Sequence, residues 1–247
     1  MKLSFLSYTC RIKILPLIIF LCMLALLFRL GFWQLGRADM KREFLRAQEE
    51  KMHRPQLPLA VLLAEYQDLR YRRVELTGHY DVSRQILMDN QIYNGKVGYF
   101  VLTPFILEAD NRLVLVNRGW LSMAKGYREL PDIEFMPPEG SLSLVGVINH
   151  FPTVGLVLEG ADELTQGWPS VVQTVNTHKV SEKLNQAILD FQVQLLPDQA
   201  YGYQRDWQVK TRMPPEKHTA YAFQWFALAS TLIFLTLWIS CKTQKND

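Results

Sequence analysis

The run QILMDNQIYNGKVGYFVLTPFILEADNRLVLVNRGWL, residues 85–121, holds three segments rich in Val, Ile, Leu, Tyr and Phe, at 85–93, 97–107 and 112–121. Asn94-Gly95 separates the first two and Asp110-Asn111 the second two. Asn-Gly between two such runs is the strongest short hairpin signal, because a type I′ turn needs positive φ at both central residues. The run therefore predicts a three-stranded antiparallel meander.

Strand patterning continues on both sides of it. From Tyr71 the apolar period moves toward two, with Val74 and Leu76 flanking Glu75. Leu142 and Leu144 alternate with Ser141 and Ser143, and the phase then shifts to Val145 and Val147 around Gly146, which predicts a bulge. Val171 to Val175 reads as a short strand, and Phe191, Val193 and Leu195 alternate with Gln192 and Gln194. Residues 178–189 read as a helix capped by Asn176 or Thr177, and residues 59–68 as a short helix. Residues 123–140, with Gly126, Pro131, Pro137, Pro138 and Gly140, read as a looser connection. The expected fold class is a β-rich α+β domain of about seven strands. Its sheet is expected to be antiparallel and barrel-like.

Two apolar segments frame this domain. Ile14 to Phe28 carries no charge, and counted to Trp33 the segment has twenty residues, as many as a helix needs to cross hydrocarbon. Arg29 lies one turn before Trp33, close enough to snorkel to the interface. Lys2, Arg11 and Lys13 resemble the basic start of a signal peptide, but no small-residue cleavage site follows, so an uncleaved helix is expected. Residues 37–51 then mix Arg37, Lys41, Arg42 and Arg46 with Asp39, Glu43, Glu49 and Glu50, a solvated helix with i,i+3 ion pairs. Tyr221 to Ile239 is nineteen residues without a charge, with Tyr221, Trp225 and Trp238 near its ends.

The expected layout is a tail at 1–13, a first transmembrane helix at 14–35, a periplasmic domain at 36–217, a second transmembrane helix at 218–240 and a tail at 241–247. The short tails carry Lys and Arg, so both are expected on the cytoplasmic side. Thirteen residues before the first span leave little room for a transit peptide, which points to a bacterial plasma (inner) membrane.

Composition removes several function classes. With 49% hydrophobic and 21% charged residues the chain is not a disordered one. A net charge of +3 without a basic block argues against nucleic acid as a partner. Cys10, Cys22 and Cys241 all lie outside the middle domain, which therefore has neither a disulfide framework nor a thiol nucleophile. No G-x-S-x-G, Walker loop or G-x-G-x-x-G occurs. Copper binding wants closely spaced Cys or Met, which are missing, so no copper is expected. His53, His79, His150 and His178 stand singly and read as ordinary surface or sheet histidines. Nothing in the residues points to an enzyme.

Distinctive residues cluster at the two membrane exits. The first has Leu30-Gly31-Phe32-Trp33-Gln34-Leu35-Gly36-Arg37, and the second His218-Thr219-Ala220-Tyr221-Ala222-Phe223-Gln224-Trp225-Phe226. Between them come Thr77-Gly78-His79-Tyr80, Gly98-Tyr99-Phe100-Val101-Leu102-Thr103-Pro104 and Val114-Leu115-Val116-Asn117-Arg118-Gly119-Trp120. In this order and inside a two-span frame, they resemble the surfeit locus protein 1 family of cytochrome c oxidase assembly proteins. Residues 123–212 carry little of the likeness.

The resemblance implies an assembly factor for a heme-copper terminal oxidase that assists heme a handling or insertion into the catalytic subunit. The implied partners are that subunit, heme a synthase or other assembly factors, and membrane lipid. His218 matches the histidine proposed to ligate heme iron in the family, with Trp33 and Trp225 at aromatic positions beside it. Tyr221, Ala222 and Trp225 follow His218 at i+3, i+4 and i+7, on one helix face. Arg37 either marks the helix exit or pairs a heme propionate. Arg118 and Trp120 form either a packed strand end or a surface for the oxidase subunit. The alternative function is a heme-free scaffold or sensor domain held by two membrane anchors.

Overall fold

In the computed structural model the described residues are 3–5, 8–10, 14–123, 130–152, 159–207, 211 and 213–242. The basic tail residues Lys2, Arg11, Lys13 and Lys245, and Gly126 of the predicted connection, lie outside them. The chain divides into two compact units, Met1–Ala47 with Val209–Asp247, and Gln48–Gln208.

The first unit opens with strands β1 (Leu3–Phe5) and β2 (Tyr8–Cys10), paired antiparallel. Helix α1 (Ile14–His53) has 40 residues, so it is about 60 Å long, twice the hydrocarbon thickness. Its first half is apolar and its second half charged, so one unbroken helix holds both the first apolar segment and the predicted solvated one. Pro16 falls in its first turn, where a missing N–H costs nothing. The last helix of the chain (Pro215–Lys242) again opens on a proline, with Glu216 in the first turn. Both helices are long and apolar enough to cross a membrane, and their apolar windows are only 6% and 11% buried. Leu15, Ile18, Phe223 and Phe234 all face outward. In water such a surface would not persist, whereas in lipid it is the ordinary state.

The second unit is a barrel with two additions. Its elements are β3 (Leu57–Pro58), α2 (Leu59–Glu65), β4 (Arg73–Tyr80), β5 (Ile86–Tyr93), β6 (Lys96–Leu107), β7 (Leu113–Ser122), β8 (Leu142–Asn149), β9 (Ser170–Val172), α3 (Thr177–Leu184) and β10 (Ile188–Leu195). The helix after them, Pro215–Lys242, is α4. The ladder β4-β8-β10-β7-β6 closes through a further β4–β6 pairing, giving a five-stranded barrel. The meander is β5-β6-β7, and the turn between β5 and β6 has Asn94 at φ 48° and Gly95 at φ 74°, with Tyr93 opposite Lys96. That is the two-residue turn the Asn-Gly pair predicts.

Three expectations change. The sheet is mixed rather than antiparallel: β7–β10 run parallel, as do β3–β4 and β5–β9. A ring of five strands cannot alternate direction all the way round, so closure obliges one parallel pair, and β7–β10 is it. Gly146 carries no bulge. Its ladder with β4 is continuous, and the glycine is needed because a Cβ there would lie 2.3 Å from Val193 Cγ1. The register shifts fall instead between Met88 and Gln91 in β5, between Phe100 and Leu102 opposite Asn117–Trp120, and between Ile188 and Gln192 in β10. Finally, α3 stops at Leu184, because Asn185 takes the left-handed conformation (φ 52°) and ends the helix before β10 begins.

The barrel core is Val74, Leu76, Tyr80, Phe105, Leu107, Val114, Val116, Leu144, Ile148 and Val193, closed by Leu59 and Leu62 of α2. A second cluster joins Ile86, Met88, Leu102, Leu113 and Leu115 to Val180 and Leu184 of α3. Strand β7 contributes to both clusters, so Leu113 to Trp120 is buried without interruption.

Candidate functional site

Within the first unit α1 and α4 meet antiparallel. Phe226 packs on Phe28 and Phe32, with ring centroids 5.9 and 5.4 Å away. Gly31 makes this possible, since a Cβ there would lie 2.6 Å from the Phe226 ring. The buried small residues are Gly31 and Ala38 on α1, and Ala222 and Ala229 on α4. Both pairs are seven residues apart, the spacing of one helix face. Small residues at such positions let helix backbones approach where no hydrophobic force drives them together.

His218 lies in the first turn of α4, just after Pro214-Pro215, and only 6% of it is exposed. Its Nδ1 is 2.8 Å from Oε1 of Gln34 on α1. One residue on, Thr219 Oγ1 donates to Pro215 O at 3.1 Å and accepts from Arg42 Nη2 at 3.0 Å. Arg42 also pairs with Asp39 at 2.7 Å. A polar clasp thus ties the start of α4 to α1, two turns before the Phe226 contact along α4.

The predicted aromatics differ in exposure. Trp33, next to Gln34, is 56% exposed, Tyr221 is 44% exposed, and Trp225 is half-buried. Ala222 is buried, so it lies inside the helix pair rather than on an open wall. Arg37 is exposed, three residues beyond Gln34. His218, Trp33, Trp225, Tyr221 and Arg37 therefore belong to one unit. Among the described residues no three His, Cys, Asp or Glu come together as a metal cage.

Arg118 and Trp120 lie in the barrel unit, and both are buried, 2% and 6% exposed. They are interior groups, and a docking surface made of these two side chains is not what the structure presents. The register shift on β7 and the positive φ of Gly119 (114°) mark a bulge, a device that re-aims side chains. Arg118 Nε donates to Tyr201 O at 2.7 Å and Nη1 to Gln85 Oε1 at 2.8 Å, with Thr103 Oγ1 donating to the same amide oxygen at 2.9 Å. The guanidinium stacks 3.6 Å from the Phe135 ring centre. Burial lowers its pKa from the usual arginine value, and polar carbonyls and rings take the place of a carboxylate. Trp120 Nε1 donates to Gln91 O at 2.8 Å. The same burial pushes the Tyr80 phenol up.

Gln34 is the residue that the reading of single motifs passes over. Its signal is positional: an amide between Gly31 and Ala38 at i+3 and i+4, on the face that meets α4, ahead of the helix's charged half.

Residues 21–230 match the family described as the SURF1 family, a span that takes in most of both apolar helices and the whole barrel. A SURF1-like protein of Rickettsia bellii is 27% identical over 83% of each chain. The cytochrome oxidase assembly protein SHY1 of Saccharomyces cerevisiae is 33% identical over 49% of this chain and 32% of its own. The surfeit locus protein 1 of Takifugu rubripes is 29% identical over 49% of this chain and 56% of its own. With a match of that extent, covering both helices and the barrel that lies between them in the sequence, the chain belongs to the SURF1 family.

Proposed function

We propose that this protein is a membrane-anchored assembly factor for a heme-copper terminal oxidase of the cytochrome c oxidase type, and that it handles heme a for the catalytic subunit without being an enzyme. Family membership supports the assembly role, as does the name of the yeast relative, a cytochrome oxidase assembly protein. The observation that carries the heme reading is the buried His218, tied through Nδ1 to Gln34 at the mouth of two apolar helices. The donor chemistry fits the group. An imidazole whose Nδ1 is engaged keeps Nε2 as its remaining ligand atom, and it is an unprotonated ring nitrogen that would hold the iron. Bound there, heme a would supply the iron that His218 ligates. Trp33, Trp225 and Tyr221 offer aromatic surface for a flat macrocycle, and Arg37 a cation for a propionate. The membrane is a bacterial plasma membrane, with both termini cytoplasmic and the barrel periplasmic, facing the oxidase subunit and other assembly factors.

The test is spectroscopic. Purified in detergent from a host that makes heme a, the wild-type protein is expected to carry a Soret band. His218→Ala is expected to lose it and to impair oxidase assembly while still inserting in the membrane. A wild-type protein that never acquires heme, yet restores oxidase assembly, would favour the heme-free scaffold.

A further inference from the structure

We infer that Gln34 is a positioning residue for His218: its side-chain carbonyl fixes the imidazole as the Nδ1–H tautomer and leaves Nε2 as the unprotonated nitrogen. An amide oxygen can only accept a hydrogen bond, so the 2.8 Å contact between Gln34 Oε1 and His218 Nδ1 requires the proton on Nδ1. Away from such a partner, a neutral imidazole can carry its proton on either nitrogen. Here the choice is made between two helices, with His218 only 6% exposed and little water at hand to compete. Hydrogen bonds in such surroundings are strong, and an unmet donor is costly.

Three features of the unit hold the amide in place. Gly31 and Ala38 flank Gln34 on the same face of α1 and keep that face close to α4. The Phe226 ring fills the space over Gly31, on the apolar side of the contact. On the other side, Arg42 is matched by Asp39 and bound to Thr219 Oγ1, which holds the first turn of α4 against α1. The imidazole is thus gripped through one ring nitrogen, with its backbone held at the next residue. For a metal ligand this is the usual second contact: the nitrogen that does not bind the metal is anchored, which sets tautomer and ring orientation. Toward iron, the inference rests on the reading of His218 as a heme ligand. The tautomer itself does not.

The experiment uses the full-length protein in detergent, labelled with ¹⁵N-histidine, with the His218 signals identified by their loss in His218→Ala. In the heme-free wild type, Nδ1 is expected to give the signal of a protonated ring nitrogen and Nε2 that of an unprotonated one. Gln34→Leu is expected to give a mixture of tautomers, whereas Gln34→Glu, which still offers an acceptor oxygen, should keep the proton on Nδ1. After loading with heme a, Gln34→Leu is expected to bind about tenfold more weakly and to shift the Soret band. Gln34→Glu should bind with a lower reduction potential, because a carboxylate makes the imidazole a stronger donor. A wild-type His218 protonated on Nε2, as a flipped amide donating to Nδ1 would dictate, overturns the inference. So does a Gln34→Leu protein with unchanged tautomer and spectrum. If the tautomer is as stated and no variant takes up heme, the inference stands and the heme reading falls. If His218→Ala loses heme while Gln34→Leu matches the wild type throughout, ligation stands and the inference falls.

Discussion

Gly78 shows how a single residue can set the architecture. It pairs with Leu142 of β8 and with Leu107 of β6, so it is where β4 passes from one neighbour to the other and the barrel closes. A Cβ at this point would lie 1.9 Å from the carbonyl oxygen of Ile106, a backbone atom that no rotamer change can move. Gly78→Ala must therefore push β4 off β6. The expected cost is about 3 kcal/mol or more, seen as a lowered melting temperature of the barrel, and an unchanged melting temperature would refute the close approach. Arg118 is the opposite case, a large charged group accommodated inside. Its strand phase follows Val114 and Val116, yet its requirements are met by Tyr201 O, Gln85 and the Phe135 face. Motif spacing marks this residue as distinctive, but only the strands around it decide that it points inward.

Among the elements, the β5–β6 hairpin is governed by local conformation alone. Gly95 has φ 74° and nothing within 4 Å of an added Cβ, so a substitution there meets backbone strain but no clash. Gly95→Val should cost about 1–3 kcal/mol, while Gly95→Asn, which tolerates the left-handed region, should cost much less. Equal melting temperatures for the two variants would show that the turn is not under this constraint. Helix α3 instead depends on charge. Asn176 caps it by accepting from His178 N, and Asp162 accepts from Lys179 Nζ at 2.8 Å and from Asn176 Nδ2 at 2.9 Å. The Lys179 hydrogen bond, followed by that of Asn176, lowers the Asp162 pKa from its usual value. A carboxylate depressed in the folded state stabilises above the ordinary Asp range, and that contribution is lost as pH falls through the folded value. Amide protection in α3 should accordingly drop below a pH of about 4, and Asp162→Asn should remove that dependence. A wild type whose α3 protection is flat across that range would contradict the linkage.

For the molecule as a whole, the question is which side of the membrane the barrel occupies. The antiparallel α1–α4 pair puts the start of α1 and the end of α4 at the same end of the first unit, and the sequence before α1 and from Lys242 on carries Lys and Arg, residues of the kind that orient spans. Alkaline phosphatase fused after Lys51 is expected to be active, and a fusion after Lys245 inactive. The reverse pattern would place the barrel in the cytoplasm and remove it from a periplasmic partner.

The apolar spans, the Asn94-Gly95 hairpin, the alternating strands and the Asn176 cap were all legible in the chain, because each depends on composition, period or backbone preference within a dozen residues. Family membership was legible for a related reason: its motifs sit at the helix exits and strand ends and keep their order. The point at which the barrel closes was not, since it depends on Gly78 meeting a backbone oxygen some thirty residues away, and the parallel β7–β10 pair follows only from a ring of five. Nor does alternation separate a glycine bulge at Gly146 from a glycine beneath Val193, which a distant strand supplies. At the candidate site, His218 and its aromatic neighbours could be named from their spacing. The contact with Gln34 could not, because it joins positions 184 residues apart and exists only where two helices cross. Local preference reaches as far as one element, and what lies opposite that element is settled by packing.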